Sequence, residues 1–196
     1  MKVNNIKFSM ISNKSICDHK MMKTEKYIIP FGNAKITIYW HSPLLINVTG
    51  SKSMQDVKCT KKFIETAFNV QCKNLKIDNI FYSYKDHKNI NMSALYYHVS
   101  DKFKEKFVID YNVELFPGLY MKTKCKGEPT LILFHTGSYT IMGCKSIDQV
   151  QEYRMFIINL LNHFVKQKIK VDNLDYSSFI ILILRHLLRL LQQAFL

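Results

Sequence analysis

The chain has 196 residues, of which 47% are hydrophobic and 13% aromatic. That is enough apolar surface for a packed interior, so the composition argues against a disordered chain. Lysine and arginine number 28 against 15 acidic residues, and the formal charge of +13 favours an anionic partner, most commonly nucleic acid. An AT-rich coding sequence, which drifts toward Lys, Asn and Ile, accounts for the same bias.

The cysteines and the apolar runs exclude several classes of protein. The chain has five cysteines: Cys17, Cys59, Cys72, Cys125 and Cys144. They form no CxxC pair, and their spacing relative to the seven histidines does not match a zinc site. We therefore expect free thiols, no metal and no cofactor. The most apolar run, Phe179–Leu184, is interrupted by Arg185 far short of a membrane span, and no signal-peptide pattern opens the chain. These features predict an intracellular protein without a membrane partner.

The first part of the chain predicts strands followed by a helix. A β-prone run at Val3–Ser9 opens it, and further strands are predicted at Lys35–Trp40 and Leu44–Val48. The last strand ends in the sequence Thr49-Gly50-Ser51-Lys52-Ser53, after which apolar residues recur at helical spacing.

The second part repeats this order. A similar run at Ile77–Ser83 again has Asn third and Ser seventh. Strands are predicted at Leu119–Thr123, Thr130–Phe134 and Tyr139–Met142, with a hairpin turn at 135–138. A Gly-Cys-Lys-Ser turn, residues 143–146, then leads into a second helical pattern.

The two helix starts share a capping pattern. Ser53 has Asp56 three residues on and Ser146 has Gln149, as in a capping box. Because each helix has one apolar face, each should lie against a sheet. The predicted fold class is α+β, with two pseudo-repeats forming one curved antiparallel sheet, a saddle with helices on its convex face and the other face open to a ligand.

The predicted divisions are a shortened first repeat at 1–72, a second repeat at 73–168 and a helical extension at 169–196. The distance from Asn5 to Gly50 is shorter than that from Asn79 to Gly143, so the repeats are unequal. The Leu/Ile-rich segment Phe179–Leu196 predicts an extra C-terminal helix buried against the domain or against another protein chain.

Three motifs carry a family resemblance. The sequences Glu114–Leu119 (ELFPGL), Leu131–Phe134 (LILF) and Gly143–Ser146 (GCKS) resemble, in order, the second repeat of the TATA-box-binding proteins. The first repeat is similar mainly at Asn5 and at Thr49–Ser53. The resemblance implies a non-enzymatic transcription initiation factor that binds and bends AT-rich promoter DNA through the minor groove. It also implies a transcription factor IIB-like partner and a multisubunit RNA polymerase.

The resemblance assigns two pairs of aromatic wedges. In that family paired rings enter between base steps and kink the duplex, which is how TATA-box-binding proteins bend DNA. Phe116 and Phe134 match the pair of the second repeat. Trp40 and Tyr27 are the corresponding expectations in the first repeat.

The resemblance also assigns residues to the groove floor. Asn5 and Asn79 match a pair of asparagines that donate to minor-groove acceptors, which are nearly the same for A·T and T·A. A threonine before the glycine is kept as Thr49 but replaced by Met142, which cannot donate a hydrogen bond.

The position two residues after each asparagine also departs from the family. The family has small aliphatic residues there, whereas this chain has Lys7 after Asn5 and Phe81 after Asn79. They leave a strict TATA preference open. The lysines that match phosphate-binding positions are Lys52, Lys122 and Lys145.

Two alternatives stay open at this point. A TBP-fold interaction protein could have lost sequence-specific DNA binding, as Met142 and Phe81 suggest. An enzyme related to DNA glycosylases, which contain similar half-units, would need a catalytic Lys–Asp arrangement that the sequence lacks. The composition suits a large DNA virus or a fast-evolving parasite, so the expected compartment is the nucleus, or a cytoplasmic viral factory or virion.

Overall fold

The computed structural model describes residues 3–13, 26–39 and 43–165, and these form an α+β fold of strands and helices. The strands are β1 (Asn5–Ser12), β2 (Lys26–Phe31), β3 (Ala34–Tyr39), β4 (Leu45–Ser51), β5 (Cys72–Tyr84), β6 (Phe107–Asp110), β7 (Gly118–Thr123), β8 (Thr130–Phe134) and β9 (Tyr139–Cys144). The helices are α1 (Met54–Ala67), α2 (Met92–Lys102) and α3 (Ile147–Asn162).

All of these strands join one antiparallel sheet in the order β2-β3-β4-β1-β5-β9-β8-β7-β6. The first repeat, β1 to α1, supplies one half of the sheet, and the second repeat, β5 to α3, supplies the other. The halves meet where β1 pairs with β5 at the middle of the order. The predicted fold class, a single sheet built from two pseudo-repeats, is confirmed.

One face of the sheet is a continuous buried surface. Successive side chains on a strand point to opposite faces, and residues directly opposite on neighbouring strands share a face. The buried row crosses the repeat boundary, since Phe8 and Ile6 of β1 continue into Ile80 of β5 and Cys144 of β9. This is the helix-covered face.

The helices cover that face with apolar residues at helical spacing. α1 buries Val57 and Ile64, and α3 buries Val150 and Ile157, together with neighbours on the same sides of the helices. Fully burying one such side chain stabilises the fold by about 1.5–3 kcal/mol, so these contacts hold the helices on the sheet.

The predicted caps are confirmed at both helix starts. The Ser53 side-chain oxygen accepts from the Asp56 N–H at 3.1 Å, and the Asp56 carboxylate accepts from the Lys52 N–H at 2.8 Å. Ser146, Gln149 and Lys145 repeat this arrangement with 3.1 and 2.8 Å. The return bond therefore reaches the residue before the cap, and it ties each helix to the strand that precedes it.

Helix α2 and strand β6 were not predicted, and they account for the inequality of the repeats. In the second repeat they lie within residues 85–117, between β5 and β7, with Asn91 as the N-cap of α2. In the first repeat, residues 13–25 alone separate β1 from β2. The sequence of α2 mixes Tyr, His and Ser into its apolar pattern, which obscures the helical period.

Other expectations fall partly outside the described residues. The described residues belong to one compact unit, while the extension at 169–196, with Phe179–Leu196, is not described. Cys59, Cys72, Cys125 and Cys144 are free thiols. Within the described ranges no helix is long and apolar enough to cross a membrane, and no cluster of metal-binding side chains occurs.

The penultimate residues of β4 and β9 are glycines, and they generate a prediction on stability. Gly50 and Gly143 have φ of +96° and +98°, a region that costs an L-residue about 1–2 kcal/mol. A Cβ on Gly50 would also overlap the Asn33 carbonyl oxygen, whereas at Gly143 the nearest atom, in Pro129, is 3.5 Å away. Chemical denaturation should therefore show a larger loss of unfolding free energy for Gly50→Ala than for Gly143→Ala.

The control is Gly32→Ala, because Gly32 has φ +58° and no atom within 4 Å of a built Cβ. Its cost should be the smallest of the three. Equal losses at Gly32 and Gly50 would contradict the role given to the Asn33 carbonyl.

Candidate nucleic-acid interface

The second face of the sheet carries no described helix, and we call it the open face. Its side chains alternate with the buried row and are half-buried or exposed. The register assigns it Asn5, Lys7, Ser9, Ile11, Lys35, Thr37, Tyr39, Leu45, Asn47, Thr49, Asn79, Phe81, Ser83, Tyr120, Lys122, Thr130, Ile132, Phe134, Thr140 and Met142.

Two asparagines at the centre of the open face make the same contact in both repeats. The Asn5 side-chain oxygen accepts a hydrogen bond from the Gly50 N–H at 2.6 Å. The Asn79 side-chain oxygen accepts from the Gly143 N–H at 2.8 Å. Each bond joins a central strand to the penultimate glycine of the neighbouring strand, so both amides are held in a fixed orientation.

This contact decides which chemical groups the asparagines present. A backbone N–H can only donate, so the amide oxygen of each asparagine must face the glycine. The amide nitrogens of Asn5 and Asn79, which are donors, are left for a ligand on the open face. Asn5 and Asn79 are both half-buried, so a ligand that reaches them lies against the sheet.

The two residues before the glycines differ between the repeats. Thr49 lies opposite Lys35 on the open face, and Met142 lies between Phe81 and Thr130. Both side chains are half-buried. The hydroxyl of Thr49 can donate a hydrogen bond, whereas Met142 offers only an apolar contact, so the two halves of the open face are chemically unequal.

Phe116 and Phe134 meet at the second-repeat end of the open face. Their ring centroids are 6.0 Å apart with an interplanar angle of 65°, an edge-to-face contact. Gly118 lies beside both rings, and a Cβ there would be 2.6 Å from Phe116 Cε1 and 3.0 Å from Phe134 Cε1. The absence of a side chain at Gly118 therefore makes room for the pair.

A tight turn holds Phe116 at this end. The Asn112 carbonyl accepts from the N–H groups of Leu115 and Phe116 at 3.1 and 2.9 Å, and its side-chain oxygen accepts from Glu114 N–H at 3.1 Å. Phe116 is 44% exposed and Leu115 is 83% exposed. A ring this exposed at the end of an open sheet is available to a ligand.

At the first-repeat end the open face carries Tyr39, an aromatic residue that sequence reasoning had not placed. The register of β3 with β4 makes Tyr39 the equivalent of Phe134, since Tyr39 lies opposite Leu45 on the open face. Trp40 lies outside the described residues. The buried residues Ile36 and Ile38 alternate with Tyr39, and this alternation is the signal that could have identified it. Counting back from the turn pointed to Trp40 rather than Tyr39 because the two connections between strands differ in length, and the role of Trp40 stays a prediction.

The structure corrects the predicted place of Tyr27 on the DNA-binding face. The register pairs it with Ile38, which is 1% exposed on the helix-covered face, so Tyr27 belongs to that face and not to the open one. An aromatic residue on a strand reads equally well for either face until the pairing is known. The position two residues before Lys26, which corresponds to Phe116, lies outside the described residues.

Lysines surround the polar centre of the open face. Lys122 is exposed on β7, next to the edge strand. Lys52 and Lys145 lie in the turns before α1 and α3, and the Lys145 ammonium donates to the Asp78 carbonyl. Sequence reasoning had not placed Lys35, which is exposed on the open face.

The groups with shifted pKa lie away from the open face. Burial raises the pKa of the Cys72 thiol to about 11 and that of the Cys144 thiol to about 12. Burial raises the pKa of Tyr139 to about 12, and burial with the hydrogen bond to Glu128 raises that of Tyr153. These thiols and phenols stay protonated at neutral pH, which suits packing rather than nucleophilic chemistry.

Comparison with known proteins identifies the fold. The family model described as transcription factor TFIID (or TATA-binding protein, TBP) matches residues 74–164, the second repeat. Among solved structures, Methanococcus jannaschii TBP matches with a TM-score of 0.58 and 18% identity, covering 83% of this chain and 98% of that one. No relative was found among curated proteins.

The sheet of two unequal repeats, with helices on one face, is therefore a TBP-type saddle. The second repeat is similar to the TBP family, whose model is described as a transcription factor, and the solved structure shows the same fold for the sheet as a whole. The family match lies in the repeat that carries Asn79, Phe116 and Phe134. The first repeat lies outside the residues that the family model matches, and its likeness to the family is one of fold.

The Asn79–Gly143 contact generates a second prediction. Asn79→Leu removes the acceptor and leaves the Gly143 N–H unpaired, so the unfolding free energy should fall by about 1–3 kcal/mol. Asn79→Asp keeps an acceptor at the same place, and its unfolding free energy should stay within about 0.5 kcal/mol of wild type. Urea denaturation of the two variants checks the difference. A loss as large for Asp as for Leu would contradict the assigned contact.

Proposed function

We propose that this protein binds AT-rich promoter DNA through the minor groove, bends it, and recruits a B-type initiation factor and a multisubunit RNA polymerase. The observation that carries the proposal is the paired Asn–Gly contact. It leaves two amide donors, from Asn5 and Asn79, facing outward at the centre of an open antiparallel sheet.

Donors at this place match the floor of an A·T minor groove. That floor presents only acceptors, adenine N3 and thymine O2, whereas a G·C pair adds the donor amino group of guanine. The amide oxygens of Asn5 and Asn79 already accept from the glycine N–H groups. Their amide nitrogens would therefore face the guanine amino group as one donor against another, which is unfavourable. Discrimination against G·C therefore follows from the orientation of Asn5 and Asn79, and A·T and T·A are accepted alike.

The bending half of the proposal rests on Phe116 and Phe134. Apolar rings inserted between base steps unstack them and kink the duplex away from the protein, as TATA-box-binding proteins do. The pair lies at the end of the open face, so a duplex that follows the sheet would meet it at one edge of the site. Lysines on and beside the open face supply the salt-dependent affinity for phosphates.

The recruitment half of the proposal rests on the likeness of the second repeat to the TBP family and on exposed side chains outside the open face. Tyr97 on α2 is 72% exposed and Leu115 in the turn before β7 is 83% exposed. Apolar side chains this exposed are available to a partner protein. The compartment that goes with this proposal is the one that holds the template, the nucleus or a cytoplasmic viral factory.

One observation favours a second candidate, a TBP-fold interaction protein without sequence-specific DNA binding. Met142 and Phe81 are neighbours on the open face of the second repeat and together form an apolar patch beside Asn79. Such a patch suits a protein surface as well as a groove floor. The two candidates differ in whether the protein binds duplex DNA at low salt.

The bending prediction uses an AT-rich duplex with a fluorophore at each end, which reports affinity and end-to-end distance together. The wild-type protein should shorten the distance, and its affinity should fall linearly with the logarithm of salt concentration. Phe116→Ala with Phe134→Ala should remove most of the shortening and weaken binding roughly ten- to a hundredfold.

The matched control is Tyr97→Ala, which removes an exposed aromatic residue from α2 and should leave both readouts unchanged. A wild-type protein that fails to bind the duplex at low salt would exclude the DNA-binding proposal and leave the interaction protein. Binding with no change in end-to-end distance would exclude the bending part alone.

The orientation of the Asn79 amide predicts a separate effect of Asn79→Asp on DNA binding. The variant keeps the bond to Gly143 but turns an oxygen toward the acceptors of the groove, so affinity for the AT-rich duplex should fall by about a hundredfold. Asn162→Asp makes the same change of charge at the end of α3 and should change affinity little. Equal losses for the two variants would show that net charge, and not the donor, is responsible.

A further inference from the structure

The centre of the open face is asymmetric in a way that the repeat makes visible. Strands β1 and β5 are adjacent at the middle of the sheet, and their register pairs Asn5 with Phe81 and Lys7 with Asn79. The repeat relates Asn5 to Asn79, and it therefore relates Lys7 to Phe81. The two halves keep the same amide but differ in the residue two positions further on, a cation in one and a phenyl ring in the other.

The Lys7 side chain is available to a ligand. It is exposed and lies between Ile6 and Phe8, both of which are fully buried, so it projects from the open face. Among residues 3–13, 26–39 and 43–165 no acidic side chain pairs with it. The nearby carboxylate of Asp78 instead accepts from the Ser9 hydroxyl at 3.2 Å.

The position of Lys7 ties it to base edges rather than to phosphates. Residues directly opposite on an antiparallel pair have Cβ atoms about 5 Å apart, so the Lys7 stem starts beside the Asn79 amide. Lys52 and Lys145, by contrast, lie in turns beyond the ends of β4 and β9. A ligand edge that reaches Asn79 is within reach of the Lys7 ammonium as well.

We propose that Lys7 donates hydrogen bonds to base-edge acceptors of the minor groove in one half of the DNA site, while Phe81 makes only apolar contact in the other half. This inference rests on the proposed function and adds a specificity-determining residue to it. The half-site under Lys7 and Asn79 then requires acceptors at more positions than the half-site under Phe81 and Asn5. The protein consequently binds in one orientation, even on a site in which both halves consist of A·T pairs.

The test removes one acceptor at a time. In a series of AT-rich duplexes each adenine in turn is replaced by 3-deazaadenine, which loses the minor-groove N3 acceptor and keeps base pairing. For the wild-type protein one group of replacements, confined to one half of the site, should cost about tenfold in affinity, the size of a hydrogen bond to a charged donor. In Lys7→Met that cost should shrink to less than about twofold.

Two further variants separate base contact from phosphate contact. Lys122→Met, on an outer strand, should weaken binding equally on every duplex and lower the slope of affinity against salt by about one unit. Phe81→Lys should create a second group of sensitive adenines in the other half of the site. A Lys7→Met variant that behaves like Lys122→Met, with a uniform loss, overturns the proposal, and so does one that binds every duplex as wild type does.

The outcomes distinguish this inference from the proposed function. If the wild-type protein binds and bends the unmodified duplex but its sensitivity to 3-deazaadenine does not depend on Lys7, the inference fails and the proposed function stands. If the wild-type protein does not bind the unmodified duplex at all, the proposed function fails and the inference fails with it.

Discussion

The hydrogen bond from a glycine N–H to an asparagine side-chain oxygen, made once in each repeat, is the contact on which fold and interface both depend. Gly50 and Gly143, the penultimate residues of β4 and β9, have positive φ, which turns the chain toward the helix-capping serines. The same glycines orient the amides of Asn5 and Asn79. One local conformation therefore fixes where each helix starts and which polar atoms face the ligand. A substitution at either glycine should accordingly affect both the helix start and the orientation of the asparagine amide.

The pairing of β1 with β5 extends this constraint across the molecule. Because the two strands are adjacent, the two oriented amides lie at one centre rather than at separate sites. The buried row on the helix-covered face is continuous through this junction, and a shift of one residue would exchange the buried and open faces of a whole repeat. The hydrophobic core thus sets the register that brings the polar centre together, although it contributes no atom to that centre.

The sequence alone predicts those parts of the fold that are specified by residues close together in the chain. The capping serines, the Gly turns and the alternating strands β7 to β9 were predictable because each depends on residues close in the chain. Helix α2 was missed because its apolar face is formed by Met92, Leu95 and Val99 among tyrosines and a histidine. Tyr27 was assigned to the wrong face because the side-chain direction on the edge strand β2 depends on its register with β3, which the sequence pattern does not contain. Tyr39 was overlooked although its alternation with the buried Ile36 and Ile38 indicates the open face.

The inequality of the repeats has a physical consequence for recognition. A symmetric protein surface would bind a symmetric groove in two orientations with equal free energy. Here one end has the Phe116–Phe134 pair around Gly118, whereas at the other end Tyr39 lies opposite Lys26, a residue with a long side chain where the second repeat has glycine. The same polarity appears at the centre, in Lys7 against Phe81, and beside it, in Thr49 against Met142. Three independent differences along one face distinguish its two halves, and a difference of only about 1.4 kcal/mol between orientations would favour one of them tenfold.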